Sequence, residues 1–459
     1  MKPSAGPECP DSGVALAHLL HMDRRRFFSF GKEYYFLPLL IYSLGMGAVY
    51  AAAYLAGLID LGHGAASFFR WDAKFYLSIA ENGYLYGPDV EGNTGFFPLF
   101  SLLWRITGAS VPGVQLINTG IFFVSLARLC KSLKPDIMVL GFFLTSPFVF
   151  FMFVPLTESL FFATSVLVIA GIHEQKRGMV FLGVLLSSLT RASFFFLIPA
   201  GVGMLLMNKP IRQIWSVNTW REILLQFLLP AGLGLITVLL IQWWQTGEWF
   251  SYFELQGKAW GRVFSLPAFP IALTTEFWAE RWSYLSFALC CLALGVGIWY
   301  FVKWLKGRDV SGSIGNEELF AVIFVVMSLA SIVFFNPKWY YFGLGEYHST
   351  VLTGVNRYTQ ATAYFFVFLI FLFRQPKISL RRIALFIPVT YLIWLLVFPA
   401  YVLDVHPLWK MTTVTLILCS YAAYHATRWR PLAILLMLCS MAFQVAMVIY
   451  FVKEELQID

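Results

Sequence analysis

Charge is scarce in this chain. Only 13% of its 459 residues are Asp, Glu, Lys or Arg, while 59% are hydrophobic; an ordinary soluble domain carries about 25% charged residues. That shortage excludes a soluble globular protein, and no polar stretch, low-complexity linker or internal repeat marks a separate soluble domain. Cysteine is also sparse. Cys9, Cys130, Cys290, Cys291, Cys419 and Cys439 show neither metal-ligand spacing nor a disulfide framework and read as small hydrophobes. A Gly-rich phosphate loop is missing, as is the strand pattern of a nucleotide-binding sheet, so a nucleotide-linked substrate is disfavoured. Residues 1–35 include "DRRRFFSF" but lack the compact apolar core and small-residue cleavage site of a signal peptide.

What the chain does have is a succession of apolar segments, each of roughly 17 to 25 residues and able to cross a ~30 Å hydrocarbon core as a helix. They predict an all-α polytopic integral membrane protein with spans near 36–59, 111–130, 137–155, 157–173, 178–190, 192–207, 223–245, 284–305, 318–336, 359–373, 383–403, 410–427 and 431–452. These thirteen make one membrane domain over residues 36–452, between a cytoplasmic tail (1–35) and an outer tail (453–459). The run from Gly178 to Met207 is the ambiguous part: one long tilted helix, or two short ones hinged at "LTRAS". The hinged pair is preferred because a single crossing would carry "RQPKISLRR" to the outside, against the positive-inside rule. With the amino terminus inside, about two thirds of the 33 Lys and Arg fall on inner segments. The rule therefore accounts for the net charge of +8 without nucleic acid.

Three outer segments, 60–110, 246–283 and 337–358, contain most of the polar chemistry. In the first, "GFFPLFSLLWRI" (95–106) is too short to span and reads as an interfacial or re-entrant helix. Just before it, "FRWDAKFYLSIAENGY" (69–84) collects Arg70, Asp72, Lys74 and Glu81 beside Trp71 and Tyr76. As a helix it places Asp72, Tyr76 and Ile79 on one side. Such a segment is either an aromatic interfacial anchor or a site in which Asp72 takes the proton of an attacking sugar hydroxyl, a poor nucleophile without an oriented base.

Farther on, Arg191 lies between apolar runs, where a lone charge is expensive unless paired or facing water; snorkelling to the interface is the alternative. Glu158 begins an apolar run after Thr157 and suits a helix start, or else pairs with Arg191 or accepts a hydrogen bond from an acceptor sugar. Arg357 opens "RYTQ" before a span, as a juxtamembrane anchor or a phosphate ligand. Either arginine would stabilise a lipid phosphate leaving group. "GEWFSYFELQGKAWGR" (247–262) sets Lys258 and Arg262 among aromatics, and "NPKWYYFGLGEYHST" adds Lys338, Glu346 and His348. Asp72, Glu81, Asp89 and Glu91 have no diagnostic metal spacing, and no metal or other cofactor is expected.

"RWDAKFYLSIAENGY" followed by "GFFPLF" resembles the Trp-Asp, Ile-Ala-x-x-Gly-Tyr and Phe-Phe-Pro signature of the class V GPI mannosyltransferase family, the second mannosyltransferase of GPI-anchor assembly, and its bacterial relatives. "PLTESLFFATSVLVIAG", "LTRASFFFLIPAG" and "GVNRYTQATAYFF" resemble further segments of that family in the same order. One departure is "WDAKFY", where some members have a histidine after the Trp-Asp pair. The resemblance implies a GT-C glycosyltransferase fold with interfacial helices in the first outer loop. It implies a polyprenyl- or dolichyl-phosphate mannose donor used on the outer or lumenal face, inversion at the anomeric carbon, and an essential Asp at position 72. Arg70, Trp71, Lys74, Tyr76, Glu81, Glu158, Arg191 and Arg357 are the expected substrate-binding set around it. A glycolipid or glycan acceptor, membrane lipids and, by analogy with eukaryotic members, a small membrane partner subunit are the expected partners. The bacterial cell membrane is the expected location, or the endoplasmic reticulum in a eukaryote. Two other classes compete: a lipid or solute transporter or flippase, and an oligosaccharide ligase or polymerase.

Overall fold

The structure, a computed structural model, describes residues 35–57, 71–87, 92–258, 279–335, 355–377 and 405–452, with short pieces at 69, 264, 266–267, 272–273, 351–352, 379, 381, 384, 387–389 and 391–392. The chain forms two compact units, Met1–Met46 and Gly47–Asp459. The first contributes the beginning of helix α1 (Phe36–Leu55); everything below lies in the second.

The second unit is helical apart from a two-residue parallel pairing of Ala272–Leu273 with Val351–Leu352 among the described residues. Helices α2 (Ala73–Asn82) and α3 (Pro98–Thr107) pack on each other. At ten residues, α3 extends only about 15 Å, so it does not span. It buries Phe100 and Trp104 and exposes Leu102 and Ile106, the two-faced surface expected of an interfacial helix. Pro98 at its first turn and a left-handed Gly108 after its last residue fix both ends.

Then follow α4 (Val111–Leu133), the short α5 (Ile137–Leu144), α6 (Glu158–His173), α7 (Arg177–Thr190) and α8 (Leu197–Met207). After these come α9 (Val217–Thr246, with a π-helical turn at Leu224–Leu228), α10 (Ser251–Lys258), α11 (Ala279–Leu305) and α12 (Asn316–Phe334). The last elements are α13 (Val355–Thr359), α14 (Ala363–Arg374), α15 (Val405–Thr427) and α16 (Arg430–Val452).

Among the described residues, five stretches are long and apolar enough to cross a membrane: Val111–Leu133, Val217–Thr246, Leu285–Leu305, Asn316–Phe334 and Arg430–Ile449. All five coincide with expected spans. The span expected at 137–155 takes a different form. Helix α5 stops after eight residues, a 3-10 segment follows at Pro147–Phe153, and α6 sets off at 101° to it. Pro147 lacks the N–H that would continue the ladder, and the carbonyls left open are covered from other helices. The amide of Asn118 donates to the carbonyls of Val154 (2.6 Å) and Leu156 (2.9 Å). Gln444 reaches that of Ser146 (3.0 Å), and Ser159 that of Met152 (2.6 Å). Buried irregular backbone is stable only when other groups of the protein satisfy it in this way.

The run 178–207 does reverse at "LTRAS". Arg191 is extended (φ −165°, ψ 159°) between α7 and a 3-10 turn at Ala192–Phe196. The far ends of the pair return to one carboxylate, Glu222, bonded by Arg177 (2.7 Å) and Lys209 (3.0 Å). Helices α6 and α7 approach closely because Gly171 and Gly183 face each other's helix; a Cβ on Gly183 would stand 2.7 Å from Val168 Cγ2. Ionic contacts gather at the end of the bundle where this hairpin closes. There Lys176 bonds Glu174 (2.8 Å), Arg128 also pairs with Glu174, and Arg374 pairs with Glu318 (2.9 Å). The other end holds the turn at Arg191.

Candidate active site

Asp72 stands at the N-cap of α2, where an Asp ordinarily accepts a backbone N–H of its own first turn. It makes no such bond. Its Oδ2 instead accepts from Arg357 Nη1 at 2.6 Å. The residue before it, Trp71, has φ +52°, a left-handed conformation that costs a non-glycine residue about 1–2 kcal/mol. Its indole is wedged between Phe151 (5.9 Å) and Phe451 (4.8 Å between ring centroids). Packing from two distant elements thus fixes the turn that aims Asp72 inward.

Arg357 bridges two carboxylates. Besides Asp72 it donates through Nε to Glu158 Oε1, and Arg191 Nη1 donates to that same oxygen at 3.0 Å. Glu158 is fully buried and Arg191 is 9% exposed at its side chain; Oε2 of Glu158 has no hydrogen-bond partner among the described residues. The guanidinium of Arg191 also lies over the rings of Tyr358 (5.0 Å) and Phe161 (5.7 Å), and that of Arg357 over Phe151 (5.8 Å). Two guanidiniums and two carboxylates form a formally neutral quartet, the composition that makes burying such charges tolerable.

Each member is held from behind. Arg357 sits on the five-residue α13, whose neighbours are locked: Asn356 accepts from Ser286, and Gln360 donates to Ser286 (2.6 Å) and accepts from Ser146 (3.3 Å). Asn118 braces the segment that delivers Glu158. The loop after α2 is stapled to α9 and α10. Tyr84 N–H donates to Gln245 (2.6 Å), Gln242 donates to the carbonyl of Thr94 (2.8 Å), and Tyr86 donates to Glu254 (2.6 Å). Inside that loop the buried Asn93 bonds Leu85 and Gly83.

A cavity of about 90 Å³ opens over the quartet, lined among others by Asp72, Tyr76, Arg191, Gln256, Arg357 and Tyr358. Tyr76, one turn after Asp72, is buried. Burial, reinforced by the Asp72 carboxylate, pushes its phenol up, so it serves as a neutral hydrogen-bonding group.

Of the residues expected in the site, Asp72, Tyr76, Arg191 and Arg357 line this cavity and Glu158 lies in contact with both arginines. Trp71 acts from beneath through its ring contacts and does not line it. Lys74 is exposed, its ammonium over the Phe75 ring (4.7 Å), and Glu81 is exposed near the end of α2; neither is among the lining residues. Helical phase explains this, since positions two and nine beyond Asp72 turn away from the face that Asp72 and Tyr76 share. Arg70, Asp89, Glu91, Arg262, Lys338, Glu346, His348 and the Lys258 side chain lie outside the described residues. Gln256 and Tyr358 are polar lining residues outside the expected set. Tyr358 directly follows Arg357 and was legible as its neighbour; Gln256, a neutral residue among aromatics, gave no signal.

Comparison of the chain with protein-family models, with curated proteins and with solved structures returned no match.

Proposed function

We propose that this membrane protein is a glycosyltransferase of the GT-C type, moving mannose from a polyprenyl- or dolichyl-phosphate donor to a hydroxyl of a glycolipid or glycan. The observation that carries the reading is the convergence of Asp72, Arg191 and Arg357, from three distant stretches, on one cavity. A carboxylate suited to take a hydroxyl proton and two cations suited to a phosphate therefore share one space. In the reaction the acceptor oxygen bonds to the anomeric carbon as the bond from that carbon to the phosphate oxygen breaks. The hydroxyl proton passes to Asp72. The electron pair leaves with the lipid phosphate, whose added charge Arg191 and Arg357 neutralise. Attack from the face opposite the phosphate inverts the centre, giving an α-mannoside from a β-linked donor.

Support comes also from the burial of the quartet at the Arg191 end of the bundle, the end that the distribution of basic residues assigns to the outer face. The broken path through Pro147–Phe153 and α6 favours a second reading, a transporter, since discontinuous helices line many transport sites. One assay separates the two. Vesicles carrying wild-type protein or Asp72→Asn are given radiolabelled polyprenyl-phosphate mannose, and label is followed into product and across the bilayer. Transfer by wild type, reduced at least roughly a hundredfold in the variant, is the expected result. Label that crosses the bilayer without entering product favours the transporter.

A further inference from the structure

Arg357 is already in use. Its guanidinium spans Asp72 and Glu158, and the bond to Asp72 is short (2.6 Å) and three-quarters screened from solvent on the Asp72 side chain, which is 25% exposed. Glu158 is bonded to both arginines and is fully buried, so it is the member of the quartet that holds them together. Asp72 is the most exposed of the four side chains and lines the cavity, which Glu158 does not. An anion entering the cavity therefore meets Arg357 on the side where Asp72 now binds it. Phosphate oxygens and a carboxylate oxygen compete for the same N–H groups of a guanidinium.

We infer that Arg357 is a shared ligand that sets the order of binding: the donor phosphate displaces Asp72 from Arg357, and Asp72 becomes able to receive an acceptor hydroxyl only after the donor is seated. This rests on the glycosyltransferase reading and adds to it. Glu158 is then a positioning residue. It keeps Arg191 and Arg357 side by side through the exchange and gains no new partner. Charge accounting agrees with that assignment. The quartet sums to zero, so an entering phosphodiester finds no spare cation within it and gains a guanidinium only by taking the place of a carboxylate; Asp72, the more exposed of the two, is the one with somewhere to go. The same contact keeps the chain from presenting an unoccupied base to water before a donor arrives.

The consequence is opposite to what loss of an ordinary site residue does. Asp72→Asn, although inactive, should bind a short polyprenyl phosphate more tightly than wild type, by roughly tenfold, equivalent to about 1.4 kcal/mol, because the competing carboxylate is gone. Binding is measured on the full-length protein in detergent micelles by calorimetry, with a polyprenyl alcohol as the uncharged control. Equal or weaker binding by a folded Asp72→Asn overturns the inference while wild-type transfer still upholds the enzyme. Wild type that neither transfers mannose nor binds polyprenyl phosphate defeats the enzyme reading itself.

A second measurement needs no variant. Carbodiimide labelling of Asp72 in wild type, read by peptide mass spectrometry, is compared in sulfate and in chloride at equal ionic strength. Sulfate, a non-reacting oxyanion, should take Arg357 and raise labelling several-fold; unchanged labelling overturns the exchange.

Discussion

At the scale of the residue, Glu158 shows how much one side chain organises. Its neighbours in sequence suggest only a helix start, yet Thr157 provides no side-chain cap there and the carboxylate turns to two arginines from elsewhere in the chain. Removing one partner of a buried ion pair costs about 3–5 kcal/mol, chiefly because the other charge is stranded. Glu158→Gln is accordingly expected to lose about that much stability, measured as the unfolding midpoint in mild detergent. Adding Arg191→Gln should restore part of it by removing one stranded cation. A double variant as unstable as the sum of its singles would show that Arg191 is held by something other than Glu158.

At the scale of the element, spacing between helices matters as much as their composition. The α6–α7 contact is close enough that a side chain at Gly183 would run into Val168 and the carbonyl of Thr164. Gly183→Val should destabilise the protein by about 1–3 kcal/mol, the usual cost of overpacking. It should also impair activity, because α6 carries Glu158 at one end and α7 leads into Arg191. A melting curve and a transfer assay with unchanged values would remove that coupling.

The long helices were legible because an unbroken apolar run suffices to announce a span. A turn near residue 156 was legible too, but the early end of α5 at Leu144 and the 3-10 segment after it were not. They depend on Asn118 and Gln444, which lie on other helices and whose partners no local pattern reveals. The site divided in a similar way. Arg191 stands out as a lone charge between apolar runs, Asp72 as one of a cluster of charges, and Glu158 and Arg357 as charges at the start of spans; the pairing of Arg191 with Glu158 is one of the alternatives that the sequence offers. That Arg357 would join Asp72 to them is a tertiary fact. Lys74 and Glu81 were drawn in by sequence proximity, which helical phase then undid.

At the scale of the whole molecule, the ion pairs among the described residues of the second unit fall at the two ends of the α6–α7 pair: the quartet at one, and the Glu174, Glu222 and Glu318 pairs at the other. The sorting of basic residues predicts that the second end faces the cytoplasm. Single cysteines introduced at the exposed Glu248 and at Lys176, in a variant cleared of native cysteines, report the orientation. A membrane-impermeant maleimide applied to intact cells should label position 248 and leave 176 unlabelled until the membrane is opened. The reverse pattern would place the cavity on the inner side.

The neutrality of the quartet has one more implication. A quartet whose charges cancel casts little field beyond a Debye length, about 8 Å at physiological salt, and so of itself does little to draw a dilute anion from the bulk. For the proposed lipid-phosphate donor, a tail that confines it to the bilayer would turn the search into diffusion in a plane. On that view the recruiting is done by the lipid, and the protein waits, electrically silent, for what drifts past.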